Sequence, residues 1–271
     1  MNNITLHTGD SAVVLKQYED NYFDSIVTDP PYGIEFLKRD WDKNTGAIEV
    51  WQQCLRVLKP GGHLLAFSSA KTYHRLASNI EDVGFEIRDQ IMWLQNNNFP
   101  KSKNLLKPAH EPIVMARKKG KGNNLNIIDT RVNDRYPANV LGDLGQYQKY
   151  FFSPKVSRKE RNIGLQMHKP ITGKDVGPWS EKGERLAVKL DRMTTKHNNH
   201  PTVKPVALMK YLVTLVTPKQ GKVLDPFNGS GSTGMAVKQF GGEYVGIDLN
   251  KHYINISKKR IEAWEEVIKE S

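Results

Sequence analysis

The sequence predicts an α/β fold in which a basic insertion interrupts a largely parallel, doubly wound sheet. Two blocks, residues 1–116 and 199–271, alternate short apolar runs typical of strands with amphipathic runs typical of helices. Between them, residues 117–198 are rich in Lys, Arg, Asn and Gly and show little periodicity. Ligands of such sheets bind beyond the carboxyl ends of the strands, so we expect function in the loops that follow the strands.

The first block predicts alternating strands and helices. Ile4–Leu6 is a short strand, Asp10 can cap a helix, and the strand Phe23–Thr28 must end at Asp29-Pro30-Pro31, because consecutive prolines have no amide hydrogens for a sheet. The other elements of this block are a helix over residues 46–58 that ends at Lys59-Pro60-Gly61-Gly62, a strand His63–Ser68, a helix over residues 71–82, and strands Phe85–Leu94 and Glu111–Ala116.

The second block repeats the alternation on the other side of the insertion. Its elements are a helix Lys204–Val216, a strand Lys222–Asp225, a Gly/Ser loop, a helix Ser232–Phe240, a strand Glu243–Asp248, and a final helix that carries Ile254, Ile261, Trp264 and Ile268.

The composition excludes several classes of protein. No segment approaches the roughly 18 apolar residues that a membrane span needs, and the N-terminus lacks the charged-then-apolar pattern of a secretion signal. Cys54 is the one cysteine, which excludes an internal disulfide and a Cys-based zinc site. We therefore expect a cytoplasmic protein with no membrane partner and no metal.

The positive charge is concentrated in the insertion. Of a net charge of +11, residues 117–198 supply most, with 18 of the 40 Lys and Arg residues but only 8 of the 29 Asp and Glu residues. Scattered lysines usually form a solvated surface, but this confinement favours a module that binds a polyanion. The densest basic positions, which we expect to contact a phosphate backbone, are Arg117, Lys118, Lys119, Lys121, Lys155, Arg158, Lys159 and Arg161.

The first chemical signal is the run Asp29-Pro30-Pro31-Tyr32 at the end of a predicted strand. Together the Asp29 carboxylate and the Pro30 carbonyl can accept both hydrogens of an exocyclic amine, while Tyr32 stacks on the planar ring that carries it. Acceptors that draw the amine lone pair out of conjugation stabilise a transition state in which that nitrogen attacks an electrophile. The alternative is a plain strand-ending turn, since Asp-Pro and Pro-Pro are common in turns.

The second signal is a glycine loop between a strand and a helix, and its residues are Asp225, Pro226, Phe227, Asn228, Gly229, Ser230 and Gly231. The stretch Gly229–Gly234 fits the dinucleotide pattern, so an NAD-dependent oxidoreductase is one interpretation. However, Asp225 would repel a pyrophosphate and suits a cationic ammonium group instead, and Asp248 can accept both hydroxyls of a ribose. S-adenosylmethionine (AdoMet) satisfies these demands better than NAD does.

The two signals, taken in order, resemble the β class of DNA amino-methyltransferases. In that class the catalytic motif precedes the target-recognition region and the cofactor motif follows it, as here. Three further runs agree with the class: Gly9-Asp10, Lys107-Pro108-Ala109-His110-Glu111-Pro112 and His200-Pro201-Thr202-Val203-Lys204-Pro205. The one departure is small, because Ser232 stands where Thr is more usual and keeps the hydroxyl.

The resemblance implies a seven-stranded, Rossmann-like methyltransferase sheet. It also implies AdoMet as cofactor, S-adenosylhomocysteine as product, and an everted base held at Asp29, Pro30, Pro31 and Tyr32. Asp10 would lie by the cofactor's adenine, Thr202 and Lys204 at its carboxylate end, and the glycine loop and Asp248 around the rest. Residues 1–116 and 199–271 form the catalytic domain, and residues 117–198 the DNA target-recognition region.

Asp at position 29 resembles the adenine-N6 group, whereas Ser is usual in the cytosine-N4 group, which remains the alternative. DNA is the implied partner, and a homodimer and a cognate restriction endonuclease both fit the class. The implied location is the bacterial nucleoid, or the host cytoplasm for a phage-encoded enzyme. A DNA-binding protein with a vestigial catalytic core is the remaining rival.

Overall fold

The structure, a computed structural model, contains one mixed sheet with helices on both faces. It describes residues 4–34, 44–94, 108–122, 125–127, 129–131, 136–142, 156–165, 198 and 200–269. The strands are β1 (Ile4–Thr8), β2 (Phe23–Thr28), β3 (Leu58–Phe67), β4 (Glu86–Leu94), β5 (His110–Arg117), β6 (Val140–Leu141), β7 (Lys222–Asp225) and β8 (Glu243–Asp248).

The helices alternate with these strands. They are α1 (Ser11–Val14), a short 3₁₀ turn (Leu15–Gln17), α2 (Ile48–Val57), α3 (Tyr73–Asp82), α4 (Arg158–Asn162), α5 (Val206–Val216), α6 (Ser232–Phe240) and α7 (Lys251–Lys269). None of the helices in the described residues is long and apolar enough to cross a membrane.

The sheet has the strand order β1-β8-β7-β2-β3-β5-β4-β6. Within the described residues β5 alone runs antiparallel to its neighbours, β3 and β4, and every other pair is parallel. From β2 the sheet continues through β3, β5 and β4 in one direction, and from β7 it continues in the other direction through β8 to β1. The switch point of a doubly wound sheet therefore lies between β2 and β7.

Two apolar cores cover the two faces of the sheet. Because side chains alternate along a strand, Val27 of β2 packs on one face with α5 and α6, and Ile26 packs on the other with α2 and α3. Trp51 of α2 and Leu212 of α5 are each fully buried, one in each core. Burial on both faces explains why β2 and β3 read as nearly continuous apolar runs.

The predicted fold class is confirmed, with differences at particular elements. In the part of the chain that the structure describes, the sheet has eight strands rather than seven, since β6 from the insertion pairs with β4. β3 also begins earlier than expected, because Leu58 pairs with Phe23 and the run Lys59-Pro60-Gly61-Gly62 lies inside the strand beside a register shift. Such irregularities let a strand accommodate proline and glycine near its start.

The insertion is not a separate layer in its described parts. Besides the pairing of β6, the backbone amide of Asn126 donates to the Leu215 carbonyl of α5 at 2.8 Å. In α4, the Glu160 carboxylate accepts from the backbone amide of Val206 at 2.9 Å and so caps α5. A Cβ added to Gly164 would overlap the Lys259 carbonyl of α7. Residues 156–165, which the sequence assigned to the DNA-binding region, thus pack on the catalytic core.

A buried polar cluster fastens β2 to β7. The Thr28 hydroxyl donates to Asp225 Oδ1 at 2.6 Å, and the Phe227 amide donates to the same oxygen at 3.1 Å. The Tyr244 hydroxyl donates to Asp225 Oδ2 at 3.3 Å. Asp225 is only 2% exposed, and burial raises the pKa of its carboxyl to about 6 although these hydrogen bonds oppose the shift.

This pKa makes stability fall as pH rises through the interval between the unfolded value, 3.8, and about 6. In that interval the folded protein holds a proton that the unfolded chain has released. We predict that between pH 4.5 and 7.5 the wild type loses about 2 kcal/mol of unfolding free energy relative to Asp225→Asn, which cannot ionise. Urea denaturation at both pH values measures this difference.

Asp82→Asn is the control, because Asp82 is an exposed carboxylate on α3. Its unfolding free energy should follow the pH dependence of the wild type. Parallel curves for wild type and Asp225→Asn would contradict the assignment.

Candidate active site

A cavity of about 530 Å³ opens where the carboxyl ends of the parallel strands meet. Both predicted motifs line it: Asp29, Pro30, Pro31 and Tyr32 follow β2, and Pro226, Phe227 and Gly229 follow β7. Although the motifs lie about 200 positions apart in the chain, the pairing of β2 with β7 makes them neighbours. The structure therefore brings the two chemical signals to one cavity.

The two carboxylate oxygens of Asp29 differ in their hydrogen bonds. Its Oδ2 accepts a hydrogen bond from Lys204 Nζ at 2.6 Å. Its Oδ1 is buried and receives no hydrogen bond from the described part of the chain. A buried carboxylate oxygen with unused lone pairs favours a ligand that brings its own donor, and an amine is such a ligand.

Lys204 lies behind the residues that line the cavity, and its assignment to the carboxylate end of the cofactor stays a prediction. Its ammonium is 5% exposed, bonds to Asp29, and lies 3.5 Å from Glu111 Oε2. It also lies 4.9 Å from the centre of the Phe67 ring. Burial acts to lower the pKa of Lys204, but the Asp29 and Glu111 carboxylates outweigh burial and raise it, so the ammonium stays charged.

Tyr32 is held at both ends. Its backbone carbonyl accepts from the Thr72 hydroxyl at 2.5 Å, and its own hydroxyl donates to Glu111 Oε2 at 2.8 Å. Burial, together with the Asp29 and Glu111 charges, raises the pKa of the phenol well above its ordinary value, so the hydroxyl keeps its proton. The ring contributes an aromatic face to the cavity.

Glu111 is a site residue to which the sequence gave no role. It lies near the start of β5, and because β5 runs antiparallel to β3, its first residues reach the edge where the parallel strands end. His110 and Glu111 both line the cavity. The signal in the sequence was the Lys107–Pro112 run, but its place at the site depends on the direction of β5.

The glycine loop approaches the cavity closely. Gly229 has a φ of +50°, and a Cβ added there would lie 2.7 Å from His200 Nε2, so a side chain does not fit. The Gly229 amide donates to Asp248 Oδ2 at 2.8 Å, which fixes the loop against the end of β8. Phe227 contacts Trp51, with ring centres 5.6 Å apart, and forms an apolar wall.

Four residues of this loop region lie behind the cavity wall rather than on it. Asp225, Asn228, Ser230 and Gly231 do not line the cavity. Asn228 Oδ1 accepts from the Tyr244 hydroxyl at 2.9 Å, and the Ser230 carbonyl accepts from the fully buried Arg260 at 2.5 Å. Both oxygens of Asp225 accept hydrogen bonds from the protein, and its assignment to a ligand ammonium group stays a prediction. These residues shape the loop that meets the ligand.

The opposite end of the cavity carries two carboxylates. Asp248 Oδ1 accepts from the Asn250 amide at 2.8 Å, and burial raises the pKa of Asp248. Asp10 caps α1 through a 2.8 Å bond from the Ala12 amide to Oδ1, and it also lines the cavity. Each carboxylate oxygen has a second lone pair, so both residues keep acceptor capacity for ligand hydroxyls or an amino group.

Thr202 and His200 complete the wall. The Thr202 carbonyl lies 3.2 Å from His200 Nδ1, and burial lowers the pKa of His200 to about 4. The ring is therefore neutral at physiological pH. The cavity combines an apolar wall, a close backbone approach at Gly229 and two acceptor carboxylates. These features fit AdoMet, which is a nucleoside with an amino-acid tail. No group of three or more His, Cys, Asp or Glu residues in the described chain is arranged to hold a metal.

The structure separates the predicted DNA-contacting residues into two groups. Arg117, Lys118, Lys119 and Lys121 lie at the far end of β5, roughly 25 Å from the cavity at about 3.3 Å per residue. There Lys118 Nζ donates to Asn21 Oδ1 at 2.7 Å, and Arg117 pairs with Glu86 at 3.3 Å. This group lies beyond the end of β5 opposite to the cavity residues His110 and Glu111, and its contact with a phosphate backbone stays a prediction.

The second group lies on α4, beside the cavity wall. Arg158 and Lys159 are exposed, whereas Arg161 is partly buried and donates to the carbonyl of the cavity residue His200 at 3.1 Å. Burial lowers the pKa of Arg161. Lys155 lies outside the described residues.

Comparison with known proteins agrees with this geometry. Residues 23–259 match the model of the N6_N4_Mtase family, described as DNA methylase. The chain is 29% identical over 283 positions to the type II methyltransferase M2.LlaDCHI of Lactococcus lactis subsp. cremoris, covering 96% of this chain and 89% of the relative. It is 28% identical to the type II methyltransferase M2.DpnII of Streptococcus pneumoniae, covering 97% of this chain and 91% of the relative.

Two solved structures have the same fold. The crystal structure of the M1.HpyAVI–SAM complex superposes with a TM-score of 0.61 at 25% identity and covers 95% of this chain and 99% of its own. The cytosine-N4-specific PvuII DNA methyltransferase superposes with a TM-score of 0.64 at 18% identity, over 99% of this chain and 92% of its own. The match to the family covers most of the chain and includes both lining motifs, so the chain belongs to the N6_N4_Mtase family and is an AdoMet-dependent DNA methyltransferase.

Proposed function

We propose that this methyltransferase transfers the AdoMet methyl group to the exocyclic N6 amine of an adenine turned out of DNA. The observation that carries the proposal is Asp29, which lines the cavity together with Tyr32 and the glycine loop, and whose buried Oδ1 has no hydrogen-bond partner in the described part of the chain. The Asp in this motif resembles the adenine-N6 group of the family. A target inside a duplex is inaccessible, so the base leaves the stack at a cost of a few kcal/mol.

The residues of the cavity divide the chemistry between them. Bound AdoMet supplies an electrophilic methyl group on a positively charged sulfur. Asp29 Oδ1 and the Pro30 carbonyl accept hydrogen bonds from the two N–H groups of the target amine and direct its lone pair toward that methyl group. The N–C bond would form as the S–C bond breaks, with S-adenosylhomocysteine as the leaving group and one amine proton released to solvent. Stacking on Tyr32 offsets part of the cost of base eversion, by about 1–3 kcal/mol.

The other end of the cavity holds the cofactor in this proposal. Asp248 accepts the ribose hydroxyls, Asp10 lies at the adenine end, and Thr202 at the carboxylate end. Phe227 and Gly229 supply the apolar wall and the close backbone approach. Asp225, Asn228, Ser230 and Gly231 act indirectly, because they fix the shape of the glycine loop.

Methylation of cytosine N4 is the second candidate. The fold of the cytosine-N4-specific PvuII enzyme superposes over nearly the whole chain, although at 18% identity this similarity concerns the fold alone. Cytosine also carries an exocyclic amine, and the same two acceptors suit it. Size and the placement of ring nitrogens distinguish the two bases.

Residues 117–198 serve as the target-recognition region in this proposal. Arg158 and Lys159 on α4 contact the DNA phosphates nearest the cavity. The curated relatives are type II methyltransferases, and we extend to this chain a role beside a cognate restriction endonuclease.

Mass spectrometry of nucleosides tests the target atom. Unmethylated DNA incubated with the protein and AdoMet, then digested, should contain N6-methyladenine because of the Asp29 motif. N4-methylcytosine alone would refute the adenine assignment and favour the second candidate. Neither product, with a folded protein that binds AdoMet, would refute both.

Asp29→Ala should reduce methyl transfer at least about 100-fold, since it removes an acceptor that acts on the amine in the transition state. Calorimetry should show AdoMet affinity changed by less than about threefold, because Asp29 does not hold the cofactor. Asp82→Ala, at an exposed site on α3, is the control and should keep full activity. Methyl transfer by Asp29→Ala at the wild-type rate would contradict the role.

The division of the basic residues predicts which charges bind DNA. Arg158→Ala/Lys159→Ala should weaken binding of a labelled duplex and reduce the slope of log K against log [salt] by about 0.9 for each lost phosphate contact. Lys119→Ala/Lys121→Ala removes the same charge at the opposite edge of the sheet and should leave both quantities unchanged. Fluorescence anisotropy at several salt concentrations measures them. Equal effects of the two double variants would refute the assignment to α4.

A further inference from the structure

Glu111 occupies a position that joins two functional groups of the site. It lines the cavity near the start of β5, and its Oε2 accepts from the Tyr32 hydroxyl at 2.8 Å. The same oxygen lies 3.5 Å from the ammonium of Lys204, which bonds to Asp29 at 2.6 Å. One carboxylate oxygen therefore contacts both the aromatic platform and the cation that holds Asp29.

We propose that Glu111 is a positioning residue for methyl transfer, which fixes the Tyr32 ring directly and the Asp29 carboxylate through Lys204. This inference rests on the proposed function, because it concerns how that site presents its acceptor and its stacking face. In this inference Glu111 does not contact the reacting amine at any step of methyl transfer.

The first action of Glu111 is on Tyr32. The Thr72 hydroxyl holds the backbone of Tyr32 by its carbonyl, and Glu111 holds the far end of the ring by its hydroxyl. A ring fixed at both ends is prepared for stacking before the base arrives. Without the Glu111 bond the ring gains freedom about its side-chain torsions, and misplacement by about 1 Å is enough to cost on the order of 100-fold in rate.

The second action is electrostatic. The carboxyl groups of Asp29 and Glu111 both lie within 3.5 Å of one buried ammonium, that of Lys204. Lys204 lies within reach of both and also 5.4 Å from the centre of the Tyr32 ring. With Glu111 in place, Lys204 is drawn toward β5 and bonds to a single oxygen of Asp29, Oδ2. Asp29 Oδ1 thereby stays available as an acceptor.

Among the residues that the structure describes, removal of Glu111 leaves Asp29 as the one carboxylate that contacts Lys204. The ammonium is then free to shift toward Asp29 and to compete with the target amine for Oδ1. The cofactor end of the cavity, at Asp10 and Asp248, is built by other strands and is unaffected. The rate of the chemical step should therefore fall while AdoMet affinity is kept.

The experiment compares Glu111→Ala, Glu111→Gln, Tyr32→Phe and the double variant Tyr32→Phe/Glu111→Ala in the full-length protein. Single-turnover methyl incorporation from labelled AdoMet into unmethylated DNA reports the chemical step, and calorimetry gives AdoMet affinity. Glu81→Ala, which removes an exposed glutamate on α3, is the matched control and should match the wild type in both measurements. AdoMet binding also shows that each variant is folded.

Glu111→Ala should slow the single-turnover step by about 10- to 100-fold with AdoMet affinity within about threefold of the wild type. Glu111→Gln should retain more of the rate, because its amide oxygen still accepts from Tyr32. In the Tyr32→Phe background, Glu111→Ala should cost less than it does alone, since the bond between the two is already absent.

Three results would overturn the inference. The first is a Glu111→Ala rate within twofold of the wild type. The second is an equal loss of rate on Glu111→Ala in the wild-type and Tyr32→Phe backgrounds. The third is a loss of AdoMet affinity as large as the loss of rate. Absence of methyl transfer by the wild type would overturn the proposed function as well, whereas an active wild type with an active Glu111→Ala variant would overturn this inference alone.

Discussion

The parallel pairing of β2 with β7 is the contact on which the site depends. It places Ile26 beside Leu224, so the two strands end next to each other and their following loops face one cavity. The Thr28–Asp225 hydrogen bond, at 2.6 Å and fully buried, fixes the relative height of the two strand ends. Because both faces of β2 are packed in apolar cores, a shift in this pairing would expose residues from both cores and is strongly disfavoured.

Charge is arranged around that contact in two separate ways. Asp225 lies behind the wall, is satisfied by the protein and carries a raised pKa, so it serves the architecture of the loop. Asp29 lines the cavity, bonds to the Lys204 ammonium through Oδ2, and has no hydrogen bond to Oδ1 in the described part of the chain. Two aspartates that end neighbouring strands thus have different functions, and the difference follows from which of them faces the ligand.

The described part of the insertion packs on the catalytic core. Through Glu160, α4 caps α5 directly after Lys204, and through its backbone carbonyl it accepts from Arg260, which also holds the glycine loop at Ser230. A segment that the sequence separates from the core is therefore in contact with both sides of the cofactor cavity. Changes in α4 on binding DNA would reach the cavity through these bonds.

Much of the fold and of the site was readable from the sequence, because local chemistry specified it. The end of β2 before Pro30 and Pro31 follows from missing amide hydrogens, the loop at Gly229 from its glycines between a strand and a helix, and the helices from apolar spacing. The bounds of β7, α6 and β8 were identical to those expected, since each lies between clear turn signals. The family resemblance followed from the order of the same motifs and was confirmed.

Tertiary structure decided which way the remaining side chains face and which partners they have. The sequence determined that Lys204 and Glu111 lie in distinctive runs. Only the tertiary structure showed that Lys204 bonds to Asp29, 175 positions away. It also showed that antiparallel β5 brings Glu111 to the cavity and places Arg117 and Lys118 at the opposite end of the strand. Strand direction and long-range pairing are set by the burial of the whole sheet. For that reason no local pattern in the chain encodes them.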